Sequence, residues 1–467
     1  MLELSDKELK QIIARRDPRY DGRFYFGVKT TKIYCRPVCP ARPKPENIII
    51  FRSHSEAEGH HYRPCKRCRP DMYPGQKSFD EKYALVSKAL DYIESGEDTS
   101  LEELSDLLHI SSRHLRRLFT EYLGATPIHV LNSRRLHLAK KFLLETNRPI
   151  TEIAFAVGFN SLRRFNEAFK DLYQINPSTM RKEDKSFSRN DNDLKFELHV
   201  RRPYDWDYVI HYLDKHLSFG VEVVKDGTYS RYLLNEEGEL GLIAVSFDSK
   251  REVILLEMTN LALTDVKIQL PRIKRLLDVD HNPSFIPTNK MKERSLRVVS
   301  HFDSYEIAVS IILGQLVSTK QAKKKFEELV RAFGNKVENN LNNDEVILFP
   351  YPDVLMNAEI EKIGVTKVKT HAIRDLSKKI VEKEIELSYL KDIEQTKKKL
   401  LEIKGIGKWS AELMAMRCLG DVNAFADTDL FIKRAIDRKL VNQREWDGVR
   451  SYLCHHIWRD LGERLSK

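Results

Sequence analysis

The sequence predicts a multidomain protein of the α+β class. Its 467 residues are too many for a single hydrophobic core, so two to four domains are expected. Four of its six cysteines fall within the first 70 residues, which predicts a small cysteine-rich domain there. Two mutually similar helical segments follow, then alternating or apolar runs typical of strands, and then a helical pattern from about residue 300 onward.

Three breaks in the pattern divide the chain. The stretches at 69–80 and 280–290 contain proline, and the stretch at 181–193 is polar and nearly free of apolar residues. The domains predicted from these breaks are 1–78, 79–186, 194–290 and 291–467. Strands are predicted in the third domain, at LKFELHVRR, GLIAVSFDS and EVILLEMTN. The fourth domain is predicted to be helical to its end, interrupted at FPYPDV and KGIGKW.

Composition excludes several classes of protein. The sequence has no long apolar run and no apolar segment near its start, so we expect neither a membrane span nor a secretory signal, and a reducing cytoplasm is the predicted location. Residues 1–78 hold 17 Lys and Arg against 9 Asp and Glu, which is most of the net charge of +10. This excess suggests a polyanionic partner such as nucleic acid, although a solvated basic surface explains it equally well.

The clustered cysteines have the spacing of a tetrahedral zinc site. Cys35 and Cys39 form a C-x3-C pair, and Cys65 and Cys68 form a C-x2-C pair from a separate loop. Basic neighbours of these residues, Arg36, Lys66, Arg67 and Arg69, would offset the negative charge that four thiolates leave around Zn²⁺. Spacing alone favours a zinc ion that only folds a small domain.

The residues around both pairs extend this interpretation. The segments KTTKIYCRPVCPAR and YRPCKRCRPD, with RDPRYDGRFYFGV upstream, resemble the N-terminal domain of the Ada-type adaptive-response regulators. The resemblance implies that one zinc-bound thiolate irreversibly accepts the methyl group of a DNA methylphosphotriester. Family position assigns the acceptor to Cys35, whereas spacing could not choose among the four. Loss of about one negative charge on methylation should tighten DNA binding and so activate transcription.

Residues 79–186 carry two helix-turn-helix patterns. In the first, Leu101, Leu104, Leu107 and Leu108 form an apolar face before a basic helix, and in the second Gly158 precedes another such helix. Two copies about 50 residues apart, ending in INPSTMRK, resemble the all-α AraC-type DNA-binding domain. Candidate base-reading residues are Arg113, Arg116, Asn160, Arg163 and Arg164, each of which could equally contact phosphate.

The C-terminal half has a different signature. In LLEIKGIGKWSAELMAM, Gly405 and Gly407 permit a narrow hairpin whose amides can face a phosphate, and a carboxylate follows at Asp427 or Asp429. This pattern resembles the helix-hairpin-helix DNA glycosylases. The match sharpens to the AlkA-type 3-methyladenine glycosylase II, which implies a TBP-like α+β module followed by an all-α domain. The segments that carry it are RPYDWDYVIHYL, RLLDVDHNP, DSYEIAVSIILGQLVSTKQA, KGIGKWSA and RSYLCHHIW.

The resemblance assigns roles to single residues. Asp429 would stabilise oxocarbenium character on the sugar, while Asp427 is the runner-up and is expected to cap a helix. Leu316 would be the wedge that fills the duplex when the base flips out. Trp409 and Trp458 would hold the cationic alkylated base, and core packing is the competing explanation for each.

The same resemblance limits the chemistry. Family members with lyase activity carry a lysine where this chain has Trp409, so a monofunctional hydrolase without cofactor is expected, acting on 3-methyladenine and 7-methylguanine. The Pro-Cys-His-Arg motif of alkylguanine methyltransferases is missing from the sequence, and Cys418 and Cys454 are expected to be core residues. The expected partners are alkylated DNA, promoter DNA and RNA polymerase, and the protein is expected to associate with the nucleoid. A transcription factor with an inactive glycosylase-like half remains the alternative.

Overall fold

The computed structural model describes residues 4–73, 84–96, 99–183, 193–286, 295–342 and 344–461. The predicted breaks at 69–80 and 181–193 lie mostly outside these ranges, whereas 280–286 of the third break is described. The chain forms two compact units. The first consists of 1–201, 261–271 and 280–285, and the second of 202–260, 272–279 and 286–467. None of the helices in the described ranges is both long and apolar enough to cross a bilayer.

The cysteine-rich part of the first unit is a small four-stranded sheet. Strand β1 lies between β2 and β3, both antiparallel to it, and β4 runs parallel to β2 at the edge. Apolar residues of α1 and of the sheet, including Ile13, Phe26 and Ile48, pack around the cysteines. The elements are α1 (Asp6–Arg15), β1 (Tyr25–Val28), β2 (Ile33–Cys35), β3 (Ile48–Phe51), α2 (His54–Gly59) and β4 (Arg63–Pro64).

Seven helices follow within the described residues 84–96 and 99–183. They are α3 (Ala84–Glu94), α4 (Leu101–Leu107), α5 (Ser112–Leu123), α6 (Pro127–Glu145), α7 (Ile150–Ala156), α8 (Leu162–Tyr173) and α9 (Pro177–Glu183). Helices α4 and α5 form the first predicted helix-turn-helix, and α7 and α8 form the second. Gly158 adopts φ +90° at the second turn, which favours glycine.

One residue of the predicted apolar face points elsewhere. Leu101, Leu104 and Leu108 are buried as expected, but Leu107 is 42% exposed. The expected face was wrong at Leu107 because adjacent residues of a helix are about 100° apart, which places Leu107 outside the stripe formed by Leu101, Leu104 and Leu108.

The second unit begins with a helix and an antiparallel meander. Its elements are α10 (Trp206–Lys215), β6 (Glu222–Lys225), β7 (Thr228–Leu234), β8 (Leu240–Asp248) and β9 (Val253–Thr259), with neighbouring strands paired in sequence order. The predicted strands at 241–249 and 252–260 are therefore confirmed. The remaining predicted strand is β5 (Asp193–His199), whose residues belong to the first unit, and α11 (Leu263–Leu276) is divided between the units.

The rest of the second unit is mainly helical. The helices are α12 (Ser304–Leu313), α13 (Thr319–Phe333), α14 (Pro352–Leu355), α15 (Lys367–Val381), α16 (Ile393–Leu401), α17 (Lys408–Arg417), α18 (Leu430–Asp437) and α19 (Arg450–His456). The predicted helical pattern, with its interruptions at FPYPDV and KGIGKW, did not include a short hairpin of β10 (Asn335–Val337) and β11 (Val346–Leu348). Asn339 side-chain bonds to nearby backbone amides favour a turn there over a helix.

Helix α12 is the centre of this unit. Its sequence SYEIAVSIIL is apolar on nearly all sides, so it is buried against α13, α15 and α17. The turn after α12 carries Leu316, and the turn before α17 carries Gly405 and Gly407. The packing of α12 on α17 therefore holds both predicted DNA-contacting turns in one body.

A buried ion-pair network lies inside the second unit. The Arg231 guanidinium donates to Glu222 at 2.6 Å and to both oxygens of Glu306 at 2.6 and 3.0 Å. Burial raises the pKa of Glu306 even though Arg231 opposes that rise. Burial alone would lower the pKa of Arg231, but the two carboxylates hold it well above its ordinary value.

Replacing this arginine should destabilise the second unit strongly. We expect Arg231→Met to lower its free energy of unfolding by about 3–5 kcal/mol, because two buried carboxylates lose their counter-charge. All four tryptophans lie in this unit, so urea unfolding followed by tryptophan fluorescence measures it selectively. The matched control is Arg251→Met, which removes an exposed pair with Asp248 and should cost less than about 1 kcal/mol. Equal losses in the two variants would contradict the prediction.

Candidate functional sites

The four clustered cysteines come together at the ends of two parallel strands. Register pairs Ile33 with Arg63 and Tyr34 with Pro64, so Cys35 and Cys65 follow as neighbours. Tight turns bring back the second member of each pair, with the Cys39 amide donating to the Arg36 carbonyl at 2.9 Å. All four side chains are buried and free of disulfides, and their Sγ atoms lie within 4.8 Å of one another.

This arrangement fits a tetrahedral metal ion. Four sulfurs at the usual Zn–S distance of about 2.3 Å stand about 3.8 Å apart, which the observed cluster accommodates. Among the residues that the structure describes, this cluster consists of cysteine sulfurs, and thiolates are the ligands that soft metal ions prefer. The geometry therefore supports a four-thiolate metal centre in the first unit.

Charge around the centre differs in part from the expectation. Lys66, Arg67 and Arg69 are exposed. The Arg36 guanidinium is instead buried, donates to Asp21 at 2.7 Å and to the Cys68 carbonyl at 3.4 Å, and stacks on Tyr73 at 3.6 Å. Asp21 also accepts from Arg201 at 3.1 Å, so this carboxylate is shared between two guanidinium groups, and Arg36 reaches the metal-binding loop as a hydrogen-bond donor.

The candidate base-reading residues lie on the two second helices of the helix-turn-helix units. Arg113 and Arg116 are exposed on α5, while Arg163 and Arg164 are exposed on α8, with Asn160 just before it. Ser111 and Ser161 cap these helices by accepting from the backbone amides of His114 and Arg164, which satisfies free amides of the first turns. Arg163 also pairs with Glu167 at 2.9 Å, a surface contact that DNA could readily replace.

The carboxylate of Asp429 is the centre of the C-terminal candidate site. Asp429 caps α18, with Oδ1 accepting from the backbone amides of Phe431 and Ile432 at 3.0 and 3.3 Å. The indole N–H of Trp458 reaches the same oxygen at 3.4 Å, and the indole of Trp409 donates to Oδ2 at 3.3 Å. Both tryptophans are partly exposed. Four N–H groups thus hold one half-buried carboxylate in a single orientation.

The second candidate carboxylate, Asp427, forms an ion pair rather than the expected helix cap. Asp427 was expected to cap a helix, but the cap of α18 is Asp429. Asp427 Oδ2 instead accepts from the Lys408 ammonium at 2.7 Å, in an exposed ion pair. The expectation was wrong because α18 begins at Leu430, so that only Asp429 stands in the position whose side chain meets the first free amides.

The two hairpin glycines have different local roles. Gly405 has φ +102°, and a Cβ there would come within 3.1 Å of Val368 and Ala372. Gly407 is extended, caps α17 without a side chain, and has open space where a Cβ would stand. Leu316 is fully exposed and left-handed, with φ +55°. The hairpin and Leu316 together present backbone and one apolar side chain to solvent.

Two residues beside Trp458, and a third that contacts one of them, were not identified from the sequence. The Arg417 guanidinium lies 5.7 Å from the Trp458 ring centre, and His455 meets the same ring edge-on at 5.3 Å. Tyr208 is hydrogen bonded to His455 Nδ1 at 2.6 Å. Burial, together with the charge of Arg417, holds the pKa of His455 well below its ordinary value, so the ring is neutral. Tyr208 lies in the segment RPYDWDYVIHYL and His455 in RSYLCHHIW, and both segments carry the resemblance to AlkA-type glycosylases. Their presence in these segments could have identified them as candidates.

Three family models match successive parts of the chain. They are described as the metal binding domain of Ada over residues 8–71, a helix-turn-helix domain over 104–183, and the AlkA N-terminal domain over 195–299. These ranges contain, in order, the cysteine cluster, the two helix-turn-helix units apart from the first three residues of α4, and the antiparallel meander.

Similar proteins extend the match to the whole chain. A probable bifunctional transcriptional activator/DNA repair enzyme AlkA of Mycobacterium tuberculosis is 30% identical over 97% of this chain and 96% of its own. The bifunctional transcriptional activator/DNA repair enzyme AdaA of Bacillus subtilis is 35% identical over 38% of this chain and 84% of its own. DNA-3-methyladenine glycosylase 2 of Escherichia coli is 28% identical over 57% of this chain and 98% of its own. The chain therefore belongs to the family of bifunctional transcriptional activator/DNA repair enzymes that join an Ada-type metal-binding domain to an AlkA-type DNA glycosylase.

Proposed function

We propose that this protein both senses and repairs alkylated DNA. Its first half takes a methyl group from DNA methylphosphotriesters onto Cys35 and then activates transcription with RNA polymerase. Its second half hydrolyses the N-glycosidic bond of alkylated bases, among them 3-methyladenine and 7-methylguanine. The observation that carries the enzymatic proposal is the convergence of Trp409 and Trp458 on the carboxylate of Asp429. We also propose that the protein is divided into four domains, at 1–78, 79–186, 194–290 and 291–467.

The methyl transfer is a single displacement. Zn²⁺ held by Cys35, Cys39, Cys65 and Cys68 would keep the sulfurs deprotonated at neutral pH. The Cys35 sulfur forms a bond to the methyl carbon as the bond from that carbon to the phosphate oxygen breaks, and the phosphodiester leaves with the electron pair. The thioether that results carries one negative charge less, which favours the approach of the DNA backbone to the basic surface.

The base release is a hydrolysis without a covalent enzyme intermediate. Alkylation at a ring nitrogen makes the base a cation, which leaves with the electrons of the C1′–N bond. The Asp429 carboxylate faces the positive charge that develops on the sugar and helps water to attack it. The two indoles that orient this carboxylate also offer aromatic surfaces to the departing base. The place of a lyase lysine is taken by Trp409, which supports simple hydrolysis.

One experiment can test both proposed activities. Duplex DNA treated with a labelled methylating agent carries both kinds of lesion, so one incubation yields two readouts. We expect labelled free bases in the supernatant, accumulating over many turnovers, and label on the protein at no more than one methyl per chain. Base release without labelled protein would limit the metal centre to a structural role. Labelled protein without base release would favour the transcription factor with an inactive glycosylase-like half.

The two hairpin glycines should separate stability from DNA binding. Gly405→Ala places a methyl in a crowded site at positive φ, so we expect the unfolding free energy of the second unit to fall by about 1–3 kcal/mol. Gly407→Ala should leave stability within about 0.5 kcal/mol, since its Cβ meets open space. That Cβ would stand where the DNA backbone approaches, so we expect Gly407→Ala to bind duplex DNA more weakly. Urea unfolding and fluorescence anisotropy measure the two effects, and unchanged DNA binding by Gly407→Ala would contradict the second.

A further inference from the structure

The turn that carries Leu316 is anchored by side chains from outside it as well as by its own backbone, in which the Gln315 amide donates to the Ile312 carbonyl at 3.3 Å. A left-handed conformation costs a branched residue about 1–2 kcal/mol, and the exposed side chain makes no contact that offsets this cost. Before the turn, the Lys369 ammonium donates to the Leu313 carbonyl at 2.8 Å. After it, the Ser318 side chain caps α13 in a reciprocal pair with Gln321. Both flanks of Leu316 are therefore anchored.

Within the turn, one side chain links Leu316 to the glycine hairpin. The Gln315 amide nitrogen donates to the Gly405 carbonyl at 2.8 Å and to Ser410 Oγ at 2.9 Å. The Gly405 carbonyl can only accept, so the nitrogen rather than the oxygen of the amide faces it. Ser410 lies in the first turn of α17 and is buried, which makes it a rigid second point. Gln315 thus spans the two turns that the structure presents to solvent.

We propose that Gln315 is a positioning residue that couples the Leu316 wedge to the hairpin at Gly405 and Gly407. The hairpin binds the DNA backbone, and the two hydrogen bonds of Gln315 connect the hairpin to the turn that carries Leu316. The position of the hairpin on the DNA therefore determines how deeply Leu316 enters the duplex to fill the space of the flipped base. Gln315 touches neither the base nor Asp429, and it acts on the opening of the duplex rather than on bond cleavage. This inference rests on the proposed glycosylase activity.

The test compares one lesion in two settings with the full-length protein. Single-turnover release of 7-methylguanine is measured from a fully paired duplex and from the same duplex with the lesion opposite a missing base, where less work is needed to expose it. Gln315→Met keeps the length of the side chain but removes both donors. We expect release from the paired duplex to fall about tenfold and release from the unpaired site to change less than about twofold.

Controls separate positioning from stability and from the glycosylase proposal itself. Gln443→Met, at an exposed glutamine of the same unit, should leave both rates unchanged. Leu316→Ala should also lose mainly paired-duplex activity, and the double variant should lose no more than Leu316→Ala alone. Equal losses by Gln315→Met on both substrates, no loss at all, or losses that multiply in the double variant would each overturn the coupling. Failure of the wild type to release base from either duplex would count against the glycosylase proposal instead.

Discussion

Asp429→Asn is expected to slow base release from alkylated duplex DNA by about 10²–10³-fold. The substitution removes the negative charge that faces the developing oxocarbenium ion while keeping the size of the side chain. Asparagine is as good a helix cap as aspartate, so α18 should remain intact and the unfolding midpoint should be unchanged. The loss can therefore be read as a loss of catalysis rather than of fold.

The matched control for this variant is Asp427→Asn. It removes a carboxylate two positions away whose described partner is Lys408, in an exposed ion pair. We expect it to change the rate of base release less than about fivefold, since exposed pairs contribute little. Labelled-base release under single-turnover conditions measures both variants. A larger loss in Asp427→Asn than in Asp429→Asn would transfer the proposed role to Asp427.

Cys35→Ser is expected to abolish methyl transfer from phosphotriester DNA to the protein. Serine is a poor nucleophile in place of a metal-held thiolate, so no labelled methyl should appear in the peptide that contains position 35. Peptide mass spectrometry after incubation with labelled methylphosphotriester DNA measures the transfer. Base release should continue in this variant, because Asp429 and its two tryptophans belong to the second unit.

Loss of a metal ligand is a separate effect that needs its own control. Cys39→Ser removes a different member of the same cluster, so it should lower bound zinc to the same extent as Cys35→Ser. Only Cys39→Ser retains the proposed acceptor sulfur. Residual methyl on Cys35 in that variant would distinguish acceptor from ligand, whereas label on Cys65 or Cys68 in the wild type would refute the assignment.

Much of the architecture was predictable because its signals are local. Cysteine spacing, the two basic helices after short turns and the alternating runs of the meander each depend on a few adjacent residues. The hairpin β10–β11 was missed because its strands are only three residues long, below the length at which a period can be recognised. Leu107 was misplaced because a seven-residue helix gives too few turns to define its buried face.

Patterns along the chain were enough to identify the kinds of chemistry present: four thiols in two close pairs, basic helices after turns, and an acid beyond a glycine hairpin. Which residues meet became clear only in the folded chain. There Asp429 caps the helix and Asp427 pairs with Lys408, Trp409 and Trp458 reach one carboxylate, Arg417 and His455 lie beside Trp458, and Tyr208 is hydrogen bonded to His455. Spacing along the chain reports local geometry, whereas contacts such as Trp409–Asp429 and Tyr208–His455, which join residues 20 and 247 positions apart, depend on how the helices of this unit pack.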